Sequence, residues 1–291
     1  KHRRMAALKE IKARIASVQS TLKITSAMKM VASAKLHRVQ ATALALAEYE
    51  RGLSQIVAAL TATSDTKVAS PLLSPHEKHE EAVVVAFSSD GSLCGSFNAN
   101  AVKALAQQVE VLRADGFDRV TVIPVGEKIA QAVVKAGYNA NERFHSLVSK
   151  PAYGDVAVLA DLLMAEYTAG KVDRVVLVYN HFHSMGHQTP VQQTFLPITM
   201  PMGEELFDYA PEYICEPKTE TLLAALLPYT LRARLYAVLL DSVTAEHAAR
   251  TVAMQTASDN ASELLDDLSL TYNKRRQQAI TDELADITPN D

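Results

Sequence analysis

The sequence predicts an α/β protein of particular layout: a long antiparallel coiled coil made by the N- and C-terminal helices, with an α/β domain inserted between them. Three observations carry this. All ten glycines lie between Gly52 and Gly203, and no proline occurs before Pro71 or between Pro228 and Pro289. Each end therefore lacks the two strongest helix breakers over a stretch of about 50–60 residues. Such a helix is ~90 Å long at ~1.5 Å per residue, and helices of that length pair as coiled coils. Second, Leu8, Ile11, Ile15, Val18 and Leu22 recur at the alternating spacing of three and four that keeps one seam towards a partner helix. Third, the middle of the chain alternates valine-rich runs with helical patterns, which reads as βαβ units.

Taken in order, the N-terminal helix spans 1–62. Beyond Leu22 its apolar register shifts to Ile24, Met28 and Val31, then to Leu36 and Val39. The inserted domain spans 80–205. Its runs "EAVVVAFSS" (81–89), "RVTVIPVG" (119–126) and "VDRVVLVYN" (172–180) read as strands buried on both faces of a mainly parallel sheet. Helices are expected around 97–114, 127–136 and 155–169. "PVQQTFLPITM" (190–200), with its prolines, suits an antiparallel or edge strand. The C-terminal helix spans 218–288. It offers Leu235, Val238, Leu239 and Val243, then Ala249, Val252 and Ala253, then Leu264, Leu265 and Leu268 as a matching stripe. Near its end, "NKRRQQAITDEL" (273–284) has only Ile280 and Leu284 as bulky apolar residues. A helix that polar does not dock firmly on its own domain's core.

The chain has 291 residues, 48% hydrophobic and 21% charged, which is globular composition. No apolar run approaches the ~18 residues that cross a bilayer. Cys94 and Cys215 stand far apart and form no metal or redox pair, which fits a reducing compartment. The net charge of −4 conceals an asymmetry: residues 1–40 carry ten Lys/Arg against Glu10 alone, a charge of +9, and the rest of the chain −13. A partner that is acidic where the basic segment touches it is implied. Nucleic acid is not the expected one, because no aromatic precedes Tyr49 and single strands would find no stacking platform.

Two segments invite a catalytic reading. "SDGSLCGSFN" (89–98) joins a strand to a helix, where phosphates and thiolates are stabilised. It lacks the dinucleotide glycine fingerprint and a Walker lysine. Asn100 stands where a cysteine phosphatase needs arginine, and Cys94 has no identifiable base. A tight turn using Gly91 and Gly95 is the better reading. "HFHSMGH" brings His181, His183 and His187 close in sequence, but no acid lies between His183 and His187. Polar histidines in a strand-end loop are favoured over a metal site. No cofactor is expected. A nucleotide-binding enzyme with helical extensions and a coiled-coil DNA binder are the competing classes.

"KEIKARIASVQSTLKITSAMKMVASAKL" (9–36) resembles the N-terminal helix of the gamma-subunit family of rotary F-type ATP synthases. "EHAARTVAMQTASDNASELLDDLSLTYNKRRQQAITDEL" (246–284) resembles that family's C-terminal helix. "SSDGSLCGSFN" (88–98) is similar to its turn after the first strand, and "YICEP" (213–217) to its lead into the last helix. The resemblance implies a Rossmann-like inserted domain and a non-catalytic central-stalk rotor. Its paired helices would turn within a ring of alpha and beta subunits, the domain would contact the epsilon subunit and the membrane c-ring, and ATP chemistry would reside on beta. The family's rotor–stator contacts carry over to Met28, Arg250, Arg276, Gln277, Thr281 and Glu283. Arg276 and Gln277 match the pair that engages a beta loop. Two departures are local: Asn290 and Asp291 replace the usual Gly-Ala ending, and Asp90-Gly91-Ser92-Leu93 lacks the usual basic residue before glycine. The chloroplast-type cysteine insertion is absent from the sequence. The lack of a transit-like leader and the bacterial look of "KITSAMKMVASAKL" place the expected location at the cytoplasmic face of a bacterial inner membrane, with the matrix side of the mitochondrial inner membrane as the alternative.

Overall fold

A computed structural model describes residues 2–62, 70–198, 215–216 and 218–287, with side chains throughout except at 2–7, 61–62, 283 and 285–287. The expected segment ends at 199–205 and 288, most of "YICEP", and Asn290 and Asp291 lie outside the described residues. The elements are α1 (His2–Ala62), β1 (Glu81–Phe87), α2 (Phe97–Ala114), β2 (Arg119–Val125), α3 (Glu127–Ala136), β3 (Asn139–Ala140), a 3-10 segment at Glu142–Val148, α4 (Tyr153–Thr168), β4 (Arg174–Ser184), β5 (His187–Leu196) and α5 (Thr219–Ile287). The chain divides into two compact units, Lys1–Ala34 with Arg250–Asp291, and Lys35–Ala249.

In the unit of Lys35–Ala249, five strands run in the order β3-β2-β1-β4-β5. β1 pairs in parallel with β2 and β4, β2 in parallel with β3, and β5 closes the sheet antiparallel to β4. Alternation along each strand sends side chains to opposite faces. Ala82, Val84, Ala86, Val122, Val176 and Val178 face α2 and α3 through Leu105, Val109, Leu112, Ile129 and Val133. Val83, Val85, Phe87, Ile123, Val175 and Leu177 face the other way, against Leu159, Leu163 and Tyr167 of α4. Burial on both faces is why these strands read as unbroken valine runs.

The second face holds a layer that the apolar stripe did not reveal. Leu223, Leu227, Leu231, Leu235, Val238, Leu239 and Val243 of α5 belong to this core, joined by Val57 and Leu60 of α1. The early part of the C-terminal stripe therefore covers a sheet. A leucine row at helical spacing looks the same whether its cover is a helix or a sheet.

The histidine segment also differs from expectation. β4 runs on to Ser184 and β5 starts at His187, so "HFHSMGH" is a tight hairpin and His181 and His183 are strand residues. β3, two residues long, and the 3-10 segment were not foreseen; neither is long enough to show a periodicity.

In the other unit, α1 and α5 run antiparallel. The buried positions of α5 are Thr251, Met254, Ser258 and Ala261, continued by half-buried Leu265, Leu268 and Tyr272. That is an uninterrupted alternation of three and four. On α1 the matching row is Ile11, Ile15, Val18, Leu22, Thr25, Lys29 and Ala32. The expected register shift after Leu22 does not occur. Thr25 is 8% exposed and Ala32 2%, whereas Ile24 is 60% and Val31 57% exposed. The seam continues straight on, filled by small and polar side chains, and the apolar ones are turned outward.

Candidate functional site

A catalytic site in an open α/β sheet forms outside the carboxyl ends of the strands, at the point where the chain reverses direction across the sheet. Here that point lies between β1 and β4, and the protein's own side chains fill it. Cys94 and Phe97 from the turn after β1 pack with Phe182 of β4 and with Ala245 and Ala249 of α5. Asn180 Nδ2 donates to the Phe97 carbonyl at 3.0 Å. Ser89, Gly91, Cys94 and Asn98 bond one another, with Asn98 Nδ2 at 2.8 Å from Ser89 Oγ and 3.2 Å from Cys94 Sγ. This is a closed turn, in which Leu93 adopts φ +66° and Gly95 +59°.

The amides at the start of α3, the next helix at this end of the sheet, are also taken. At the start of α3, Gly126 N–H donates to His145 O and Lys128 N–H to Ser89 O. Glu127 N–H donates to Asp90 Oδ1 at 3.1 Å and Ile129 N–H to Ser88 Oγ at 2.9 Å. A helix start whose donors are satisfied internally offers an anion little.

The hairpin histidines have partners as well. Asp241 of α5 accepts from Phe182 N–H at 3.0 Å and pairs with His181 Nδ1, while His183 Nε2 meets Thr189 Oγ1 at 2.7 Å. Among the described residues no group of three or more His, Cys, Asp or Glu could hold a metal ion. A cavity of about 380 Å³ beside this clamp is lined by Gln40, Glu50, Tyr179, Gln193, Arg234 and Asp241, among others. Burial holds Arg234 below its usual pKa, and burial with the neighbouring Asp241 pushes Tyr179 up to about 12, so its phenol stays protonated and is no base at neutral pH.

The other candidates lie on the helix pair. Arg276, Gln277 and Thr281 are exposed on the last turns of α5, and Thr281 Oγ1 donates back to Gln277 O at 3.1 Å. Glu283 is in the same helix, with its side chain outside the described residues. Met28 and Arg250 are half-buried. The Thr25–Ser258 bond fixes the antiparallel level of the two helices. Counted from it, Met28 is level with Gln255, about 8 Å along the axis from Arg250, and Arg276, Gln277 and Thr281 lie about 30–40 Å beyond the level of Met28, by rise per residue. The structure thus brings the six candidates together as two stations, one of Met28 with Arg250 and one at the α5 end.

Sequence reasoning missed the apolar residues around these stations as a group. Ile24, Met30 and Val31 on α1, and Leu264, Leu270, Ile280 and Leu284 on α5, are exposed large apolar side chains, Leu270 at 71%. Leu270, Gln277 and Leu284 recur every seven residues and share one face with Ile280 beside them. The available signal was that these residues fall off the seam. Apolar side chains rimmed by polar ones on a continuous face mark contact with other macromolecules.

A helix pair whose outward face is built for contact, in one chain with an α/β domain whose ligand crevice is filled from within, is the layout of a shaft protein. A family model described as ATP synthase matches residues 7–289. The ATP synthase gamma chain of Phocaeicola vulgatus is 47% identical over 285 residues, covering 97% of this chain and 98% of that one. That of Chlorobaculum tepidum is 39% identical over 287 residues, covering 97% of each. The fold is shared with the rotor of Euglena gracilis mitochondrial ATP synthase (TM-score 0.59, 19% identity, 94% of this chain and 99% of that one). It is shared too with the central stalk and c-ring structure from Tetrahymena thermophila (TM-score 0.54, 22% identity, 81% and 99%). The chain belongs to the ATP synthase gamma-chain family. Its role is the family's, the non-catalytic central-stalk subunit of a membrane-associated F-type ATP synthase.

Proposed function

We propose that the helical segments 1–62 and 218–288 form a shaft whose paired ends, in the unit of Lys1–Ala34 and Arg250–Asp291, turn within a ring of alternating alpha and beta subunits, and that the domain at 80–205, with the helix stretches that pack on its sheet, meets the epsilon subunit and the c-ring outside it. Ion flow through the membrane ring would drive the rotation, and the profile of the shaft would force the beta sites through their conformations in turn. The assembly sits at the cytoplasmic face of a bacterial inner membrane; the bacterial gamma chains among the relatives support this.

The observation that carries this reading is the outward placement of Leu270, Ile280 and Leu284 on the same polar helix as Arg276 and Gln277. None of them is used to bury the shaft against itself. A shaft turning in a sleeve works best with shallow, similar contacts at every angle, because each deep minimum must be escaped on every turn. Scattered apolar side chains among polar ones provide that.

Within this reading Met28, Arg250, Arg276, Gln277, Thr281 and Glu283 are the rotor–stator contacts. The exposed guanidinium of Arg276 can hold a carboxylate through two parallel hydrogen bonds and release it when the geometry changes. Met28→Lys adds a cation at a contact governed by charge. It is expected to leave ATP binding and hydrolysis largely in place while ATP-driven ion pumping in membrane vesicles falls severalfold; pumping in normal proportion to hydrolysis would contradict the assignment. Arg276→Ala is expected to lower torque with the fold intact. Loss of soluble expression would show instead that the residue is structural.

A further inference from the structure

The seam between α1 and α5 in the unit of Lys1–Ala34 and Arg250–Asp291 contains a buried hydroxyl node. Thr25 and Ser258 are 8% and 7% exposed, and their hydroxyls lie 2.8 Å apart. Thr25 Oγ1 also bonds the Leu22 carbonyl at 3.1 Å, and Ser26 Oγ lies 3.5 Å from Ser258 Oγ. Proton accounting orders the chain. A hydroxyl has one hydrogen to give. If Thr25 donates to Leu22 O, Ser258 must donate to Thr25, and Ser258 Oγ keeps its lone pairs, one of them open to Ser26 Oγ–H. Every hydroxyl proton then has an acceptor.

The apolar packing around this node is thin. Counted outward from the bond, Leu22 is level with Ala261 and Ala32 with Thr251. Small side chains on one or both sides leave shallow knobs, and shallow knobs discriminate poorly between neighbouring registers. The hydroxyls supply what the packing lacks. Sliding one helix past the other by a turn would set a buried hydroxyl against alanine or leucine and strand it without a partner, which is costly in a dry seam. A polar residue at one seam position is a known way for a coiled coil to fix its register.

We infer that Thr25 and Ser258, assisted by Ser26, form a registration point that locks the axial alignment of α1 against α5. They are positioning residues: Thr25 and Ser258 are buried in the seam and act through the outward residues whose level they set.

The test is a distance measurement on the intact chain, independent of the rotor reading. Spin labels are placed at Lys23→Cys and Leu270→Cys, both exposed positions, in a Cys215→Ser background; native Cys94 is 1% exposed and stays unlabelled. Pulsed dipolar spectroscopy of the chain with native Thr25 and Ser258 is expected to give one narrow distance. Thr25→Val with Ser258→Ala keeps the shapes and removes the hydroxyls. In that variant a second population is expected, displaced by about 5 Å, one helical turn. The ratio of displaced to native distance should rise about tenfold, equivalent to ~1.4 kcal/mol of register preference. The exchanged pair, Thr25→Ser with Ser258→Thr, restores the single distance. Should the doubly substituted chain lose helicity, Ser258→Ala alone keeps the Thr25–Leu22 bond and is read the same way. A single, undisplaced distance without the hydroxyls overturns the proposal, as does a displaced population in the exchanged pair.

Discussion

Gly126→Ala is expected to cost at least about 4 kcal/mol and to deplete soluble, folded protein. Gly126 stands between β2 and α3 at φ +115°, a backbone conformation that side-chain-bearing residues avoid. A Cβ there would lie 2.6 Å from Ser88 Oγ and 2.8 Å from the Ser88 carbonyl carbon, with the carbonyl oxygen closer still. The obstacle is backbone, and it is fixed on both sides. Ser88 N–H donates to Val125 O, and Gly126 N–H to His145 O, each at 2.8 Å. Any relaxation would pull β1 from β2 or withdraw Ser88 Oγ from the Ile129 amide, which it accepts at the start of α3. Thermal unfolding followed by circular dichroism tests this. A midpoint within a few degrees of the parent's would refute the close-approach account.

Asp173→Ala is expected to cost about 2–3 kcal/mol at neutral pH, because it removes a charged acceptor from several donors at once. Asp173 Oδ2 accepts from the amides of Glu80 and Glu81 at 2.9 and 3.1 Å, and Oδ1 meets His76 Nδ1 at 3.1 Å. His76 in turn stacks on Tyr167, whose hydroxyl donates to Ser74 O at 2.8 Å. One carboxylate thus ties the 70–80 segment to the start of β1 and to α4. Burial by itself would raise the pKa of Asp173; the Glu81 and Glu80 amides and then His76 outweigh it, and the pKa is lowered. The sign follows. A carboxylate with a depressed folded pKa contributes stability that is fully present above its unfolded pKa, near ~4, and is lost as the pH falls through the folded value. The parent should lose stability on acidification below that point faster than Asp173→Ala does. Equal acid dependence in the two proteins would remove Asp173 from the account.

Much of the fold was legible. The expected ranges 97–114 and 127–136 coincide with α2 and α3, since each follows a strand and shows a helical period on its buried face. The long terminal helices were legible from where glycine and proline are missing. The seam was misread for a physical reason. Thr25 and Ala32 are small or polar and give no strong apolar signal, whereas Ile24 and Val31, which do, lie on the outside of the pair. Burial in a thin seam depends on size and hydrogen bonding as much as on hydrophobicity. Leu235 to Val243 was legible as a buried stripe but not as cover for a sheet, and the earlier leucines Leu223, Leu227 and Leu231 of the same cover were not singled out. The contact residues were the least legible. On composition Arg276 and Gln277 read as an ordinary solvated face, and only resemblance singled them out.

The central claim is that the paired ends of the chain are enclosed by other subunits through the face they leave outward. Thiol reactivity at Leu270→Cys and Gln277→Cys, in the free chain and after assembly with alpha and beta subunits, tests it most directly. The account predicts fast labelling of both positions in the free chain, strong protection on assembly, and no change for a reference thiol at Val111→Cys on α2, an exposed position of the α/β domain. Undiminished labelling at 270 and 277 in the assembled complex would contradict it.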